Sequence, residues 1–243
     1  MASFVTANWA TSSMKKITFE DLILFENSDF LVINKPPYLS SLDDRHEAQN
    51  ILDLAKTYWE DAQLCHRLDK ETSGCLVIAK NPEAYRHLAM QFENRQVEKI
   101  YHAVVEGIQD FQSLLVDRNL AANNKGIAKV SKDGKPAQTV VHTLKTYFAH
   151  SLLSCSPITG RLHQIRVHLA SQGHPIAGDD KYGDFEWNKA LTKQGLKRMF
   201  LHAWRLQFTH PTTGKRLELK SNLPEELQQF TNHAKPKPST PSV

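Results

Sequence analysis

Short apolar runs that end at glycine or proline turns recur along the chain, and they constrain its fold more than any other feature. Runs of about four to eight such residues are typical of buried strands. Tight turns such as KDGK and PTTGK favour antiparallel pairing of the strands that they join. The runs span residues 30–37, 74–80, 99–107, 138–148, 151–156, 200–208 and 216–220. The sequence therefore predicts a core of largely antiparallel strands.

Four other segments have apolar residues at helical spacing. One of them begins with Asn81 as a helix cap and Pro82 at the first helical position, and another ends at Gly173. The segments are residues 47–60, 81–93, 161–173 and 224–234. Between the last two, GHPIAGDDKYGD (173–184) reads as a structured turn. Together with the strands, these helices predict an α+β fold with a mixed sheet and helices on its flanks.

Length and composition exclude few classes of protein. The 243 residues suffice for a large core, and we assign residues 1–16 to an N-terminal extension, 17–233 to one folded domain and 234–243 to a disordered tail. A net charge of +4 leans towards a polyanionic partner without requiring one. The 3 cysteines have no CxxC spacing, and no apolar stretch is long enough to span a membrane. We therefore expect a reduced, cytoplasmic protein without a membrane segment.

The segment HRLDKETSG (66–74) holds the first candidate for chemistry. It places His66 and Arg67 close to Asp69 in a loop between two apolar segments. An aspartate with a pKa near 3.9 is ionised at neutral pH, and a nearby guanidinium keeps it ionised even when it is partly buried. Such a carboxylate is suited to act as a nucleophile or base. Taken alone, however, an Arg-x-Asp sequence most often caps a turn.

Two further blocks change this interpretation. GRLHQIRVHLASQGHPIAGDDKYGD (160–184) and FLHAWRLQFTHP (200–211) follow the first block in the same order as in a known family. From INKPPYLSS to the final helix, the chain resembles the RluA-type family of RNA pseudouridine synthases. The resemblance implies the pseudouridine synthase fold, with a central active-site cleft, and a catalytic domain over 17–233. It also implies isomerisation of uridine to pseudouridine in structured RNA.

The resemblance assigns roles to particular residues. Asp69 matches the catalytic aspartate of the family, Arg161 matches the arginine that pairs with it, and Tyr101 in KIYHAVVEG matches the tyrosine that lines the pocket. A tyrosine there could instead be an ordinary core residue of a strand. The chain departs from the family pattern at Tyr38, where glycine is common, and at Leu162, where threonine or serine is usual.

The same resemblance suggests residues that contact RNA. Arg67 would stack in the gap left by an extruded uridine or hold a displaced phosphate. His66, Lys35 and Leu201 are further RNA-binding candidates, although Lys35 could equally be a solvated loop lysine. The expected partner is a stem-loop of ribosomal or transfer RNA, bound by a monomer. Only about 30 residues precede the catalytic blocks, so no N-terminal S4-type RNA-binding domain is expected.

Other functions are less well supported by the sequence. An inactive RNA-binding protein of the same fold would not need Asp69, Tyr101 and Arg161. A glycosidase would need a second carboxylate about 5 to 10 Å from the first. His163 and His168 are five residues apart rather than at the four-residue spacing of HExxH, so no metal site is predicted. No cofactor is expected either, because the isomerisation is redox-neutral and loses no atoms.

Overall fold

The computed structural model describes residues 18–43 and 49–233. The chain divides into a first unit, Met1–Glu98 with Ala203–Asn222, and a second unit, Lys99–His202 with Leu223–Val243. The N-terminal extension assigned to 1–16 and the tail assigned to 234–243 lie outside the described residues. One catalytic domain over 17–233 stays a prediction.

Twelve strands and five α-helices form along the described residues. The strands are β1 (Ile23–Glu26), β2 (Phe30–Lys35), β3 (Gln63–Leu64), β4 (Ser73–Ala79), β5 (Glu98–Glu106), β6 (Leu114–Asp117), β7 (Leu120–Ala122), β8 (Ala128–Val130), β9 (Gln138–Thr146), β10 (His150–Pro157), β11 (Leu201–Thr209) and β12 (Arg216–Lys220). The helices are α1 (Ile51–Tyr58), α2 (Pro82–Glu93), α3 (Gln164–Ser171), α4 (Phe185–Lys193) and α5 (Glu225–His233).

The first unit is built around β4, whose seven residues are all buried. β4 pairs antiparallel with β2 and with the short β3, and β12 pairs antiparallel with β11. Side chains of β2, β4, β11, β12 and α2 form one hydrophobic cluster. Asn50 and Asn81 cap α1 and α2 by accepting hydrogen bonds from backbone N–H groups in the first helical turn. A buried strand thus carries the chain away from the HRLDKETSG loop.

The second unit has its own antiparallel strands, in the order β5, β10, β9 and β6. A separate hairpin of β7 and β8 packs by Leu120 and Ala128 into a cluster with Val167 of α3. The first six residues of α3, 164–169, are all buried. A helix buried on every side places polar as well as apolar side chains in the interior.

Gly74 fixes the end of the HRLDKETSG loop. It has a φ of +113°, a conformation that residues with a side chain rarely adopt. A Cβ atom at this position would lie 2.3 Å from the carbonyl oxygen of Ala203. The loop therefore enters β4 through a close backbone approach that only glycine allows.

The predicted α+β class is confirmed, and each predicted strand and helix has a counterpart. β1, β3, β6, β7, β8 and α4 were not predicted. The helix predicted for 161–173 begins at Gln164, so that Arg161 precedes it. Among the described residues, no helix combines the length and the apolar character that crossing a membrane requires.

Candidate active site

Asp69 lies in the first unit, on the loop between β3 and β4. Its side chain is half-buried, Leu68 before it is buried, and Arg67 is exposed. The backbone N–H of Thr72 donates a 3.1 Å hydrogen bond to the carbonyl oxygen of Asp69, which closes a turn directly after the aspartate. The loop predicted from the sequence is therefore present, with a carboxylate that solvent reaches in part.

Lys35 holds the backbone on one side of Asp69. Its side chain is fully buried, and its ammonium donates hydrogen bonds to the carbonyl oxygens of Pro36 and Leu39 at 2.8 Å and of Lys70 at 3.1 Å. An ammonium has three N–H donors, which matches these three acceptors. Lys35 is therefore not a solvated loop lysine. Its geometry favours a role in positioning the loop over direct contact with RNA.

Tyr38 adds a second hydrogen bond to the same carbonyl group. Its backbone N–H donates to the Lys70 oxygen at 2.8 Å. Tyr38 has a φ of +64°, in the left-handed region that favours glycine. This conformation accounts physically for the glycine expected at this position from the family pattern.

Ser41 holds the backbone on the other side of Asp69, at Leu68. Its hydroxyl donates to the carbonyl oxygen of Leu68 at 2.8 Å and accepts from the backbone N–H of Leu68 at 3.1 Å. Segment 35–41 thus bonds to the residue before Asp69 and to the residue after it. Ser41 was not singled out from the sequence, because its partner is 27 residues away in the chain.

His66 is anchored within the first unit. Its Nε2 accepts a 3.1 Å hydrogen bond from the backbone N–H of Val77, and its ring stacks on Phe92 with 4.3 Å between ring centroids. These contacts tie the start of the loop to β4 and α2. They favour a packing role for His66 and leave exposed Arg67 as the better RNA-binding candidate of the two.

Tyr101, Arg161 and Leu201 all lie in the second unit. Tyr101 is half-buried on β5, opposite Cys155 of β10, and packs against a core cluster. Burial of the neighbouring His102 lowers its pKa to about 4, so that this imidazole is neutral at physiological pH. Leu201 is only 3% exposed and belongs to the same core cluster, which favours a core role over RNA contact.

Arg161 is half-buried, three residues before α3. Its Nε donates to the carbonyl oxygen of Pro136 at 3.2 Å, and its backbone N–H donates to Oε1 of Gln164 at 3.0 Å. These bonds fix Arg161 at the entry to the helix. The pairing of its guanidinium with Asp69 stays a prediction.

Arg166 was not singled out from the sequence, yet among residues 18–43 and 49–233 it is the largest fully buried side chain. Its Nε and Nη2 donate to the two carboxylate oxygens of Asp179, both at 2.8 Å. Burial raises the pKa of Asp179, but hydrogen bonds and the positive charge of Arg166 outweigh this effect and hold that pKa below its usual value. The acids of the GDD sequence in the same block are the signal that could have revealed this buried ion pair.

A basic surface surrounds the β7–β8 hairpin. Within the described part of the chain, none of its five exposed cations makes an ion pair: Arg118, Lys125, Lys129, Lys132 and Lys135. The hairpin is fixed to the second unit, because the backbone N–H of Ala128 donates to the hydroxyl of Tyr182 at 2.9 Å. A firmly attached group of unpaired cations is suited to bind a polyanion.

A family model described as RNA pseudouridylate synthase matches residues 29–171. The chain is 36% identical over 224 residues to ribosomal large subunit pseudouridine synthase C of Vibrio cholerae, covering 90% of this chain and 71% of the relative. It is 37% identical over 225 residues to the protein of the same name from Escherichia coli K12, covering 88% and 70%.

Solved structures agree with this assignment. The structure of human RNA pseudouridylate synthase domain containing 1 superposes with a TM-score of 0.74 at 26% identity, over 95% of this chain and 94% of that one. The human domain containing 4 gives 0.72 at 28% identity, over 88% and 94%. These findings confirm the fold predicted from the resemblance, and they give no support to an inactive RNA-binding protein or an unrelated hydrolase. The chain belongs to the RluA-type RNA pseudouridylate synthases, isomerases that convert uridine in RNA to pseudouridine.

Proposed function

We propose that this pseudouridine synthase modifies RNA of the large ribosomal subunit. The observation that carries the proposal is the identity of 36 and 37% to two proteins named for that substrate, over about nine tenths of the chain. The five exposed cations on and around the β7–β8 hairpin support an extended RNA partner, since each lysine or arginine can neutralise one backbone phosphate. We further propose that the enzyme works as a monomer in the cytoplasm.

In the proposed chemistry, Asp69 attacks or deprotonates the sugar or the base of the target uridine. The N1–C1′ bond breaks, the uracil rotates, and a C5–C1′ bond forms, while any bond from Asp69 to the substrate breaks and any proton taken by Asp69 returns to the substrate. C5 then loses its proton, and N1 gains one. Tyr101 offers a flat face to the uracil, and its deprotonated hydroxyl takes the C5 proton. Because free tyrosine has a reference pKa near 10, this role requires assistance from the surroundings. Because no atom is lost and no electron is transferred overall, the proposal includes no cofactor.

Mapping of pseudouridine in a deletion strain tests the substrate. We expect the strain to lack pseudouridine at one or more positions of large-subunit ribosomal RNA, with transfer RNA unchanged. Complementation by the intact gene should restore the missing positions. A loss confined to transfer RNA would instead support the second substrate class considered from the sequence.

Replacement of Asp69 by asparagine tests the catalytic role. Asparagine nearly keeps the shape of the side chain but removes its charge, so we expect turnover to fall by about four orders of magnitude or more, with RNA affinity within a few fold. Tritium release from C5-labelled uridine in RNA measures turnover. Asp61→Asn, an exposed loop aspartate of the same unit, is the matched control and should remain active. Appreciable turnover by Asp69→Asn would remove Asp69 from catalysis.

Lysine substitutions separate the roles of the two arginines in the block GRLHQIR (160–166), Arg161 and Arg166. Arg161→Lys keeps the charge but loses the planar fork that holds a carboxylate with two hydrogen bonds, so we expect a rate loss of about 100-fold with a normal unfolding temperature. Arg166→Lys disrupts a buried two-bond pair, and we expect a lower unfolding temperature as well. Full activity of Arg161→Lys would contradict the proposed pairing of Arg161 with Asp69, whatever the activity of Arg166→Lys.

Arg67 is proposed to fill the space left by the flipped uridine. Its side chain is exposed, while its neighbours His66 and Leu68 are held by hydrogen bonds. Extrusion costs a few kcal/mol for a stacked base and much less for a free one. Arg67→Ala should therefore lose more single-turnover activity on a uridine in a stem-loop than on the same uridine in an unstructured oligonucleotide. Arg86→Ala, an exposed arginine of α2, is the control, and equal losses on both RNAs would contradict the flipping role.

A further inference from the structure

The hydroxyl of Ser41 bonds to both backbone polar groups of the residue that precedes Asp69. It donates to the Leu68 carbonyl oxygen at 2.8 Å and accepts from the Leu68 N–H at 3.1 Å. Ser41 is 4% exposed and Leu68 is 5% exposed, so water has little access to either end of this pair. One buried side chain therefore supplies both hydrogen bonds that a paired strand would otherwise make with the Leu68 backbone.

The backbone of Ser41 is itself fixed by the start of α1. The N–H of Ile51 donates to the Ser40 carbonyl oxygen at 2.9 Å, and the N–H of Leu52 donates to the Ser41 carbonyl oxygen at 3.3 Å. The first N–H groups of a helix have no partner within the helix, so these bonds satisfy two of them. Ser41 thus links a helix terminus to the loop that carries Asp69.

We propose that Ser41 is a positioning residue for the isomerisation, acting on Asp69 through the backbone of Leu68. The inference rests on the proposed catalytic role of Asp69. Lys35 and Tyr38 hold the Lys70 carbonyl group on the far side, so without Ser41 the aspartate keeps only one of its two flanking anchors. A catalytic group displaced by about 1 Å costs on the order of 100-fold in rate. Ser41 contributes to the rate constant rather than to RNA binding.

The second unit supplies a matched control. Ser151 is fully buried, and its hydroxyl also bonds to the backbone on both sides: it donates to the Gly107 carbonyl oxygen at 2.9 Å and accepts from the Gln109 N–H at 2.9 Å. Ser151→Ala removes the same two kinds of hydrogen bond from a similarly buried place. Any effect that follows from lost stability alone is therefore shared by the two alanine variants.

Single-turnover tritium release at saturating RNA compares the variants. We expect Ser41→Ala to lose about 10- to 100-fold in rate with RNA affinity within about threefold, and Ser151→Ala to stay within about threefold in rate, for similar decreases in unfolding temperature. Ser41→Thr keeps the hydroxyl and should recover most of the rate. A normal rate in Ser41→Ala, equal rate losses in both alanine variants, or a threonine variant as slow as alanine would each overturn the proposal.

Amide hydrogen exchange tests the positioning without relying on activity. In Ser41→Ala we expect the Leu68 N–H to exchange at least about tenfold faster, while the Val77 N–H, which donates to His66, changes little. Unchanged exchange at Leu68 would show that Ser41 does not hold this backbone. If the wild-type protein released no tritium from any RNA but Ser41→Ala loosened Leu68, the proposed function would fail while the anchoring by Ser41 stood.

Discussion

The buried ammonium of Lys35 is the interaction on which the Asp69 loop depends. A charge removed from water is costly unless hydrogen bonds replace its hydration. Lys35 is fully buried, and three backbone carbonyl oxygens accept from it. Two of them belong to the turn that follows β2, and the third is that of Lys70. The turn and the loop must therefore stay in the one arrangement that brings these oxygens together.

Buried and exposed residues lie next to each other at the start of this loop and have different roles. Leu68 is buried and bonded at both of its backbone polar groups, whereas Arg67 is exposed. Leu68 and Lys70 therefore fix the backbone on both sides of Asp69, the proposed catalytic residue, while the side chain of Arg67 stays exposed.

Local pattern predicted the secondary structure well but missed contacts between distant residues. Strands β2 and β4 and the Asn81 cap of α2 depend on neighbouring residues, and they were apparent from the sequence. Helix α4 was not predicted because its first residue, Phe185, is apolar yet 75% exposed. An apolar residue outside the buried face interrupts the helical spacing of the apolar positions. The burial of Lys35 depends on a carbonyl group 35 residues away, and that of Arg166 depends on an acid 13 residues away. The sequence pattern thus identified the blocks, but it did not identify which of their charged residues are buried.

At Tyr38, a hydrogen bond that fixes the loop outweighs the preference of non-glycine residues for a negative φ. Left-handed backbone costs a residue with a side chain about 1–2 kcal/mol. At a φ of +64°, Tyr38 directs its N–H to the Lys70 carbonyl oxygen, which also accepts from the Lys35 ammonium. A carbonyl oxygen has two lone pairs, so both donors can be accommodated without competition. A hydrogen bond to a charged donor contributes about 1.5–3 kcal/mol, enough to offset the strain when the second bond is added. The left-handed residue is therefore retained because it completes the pair of bonds that holds Lys70, and with it the aspartate one residue earlier.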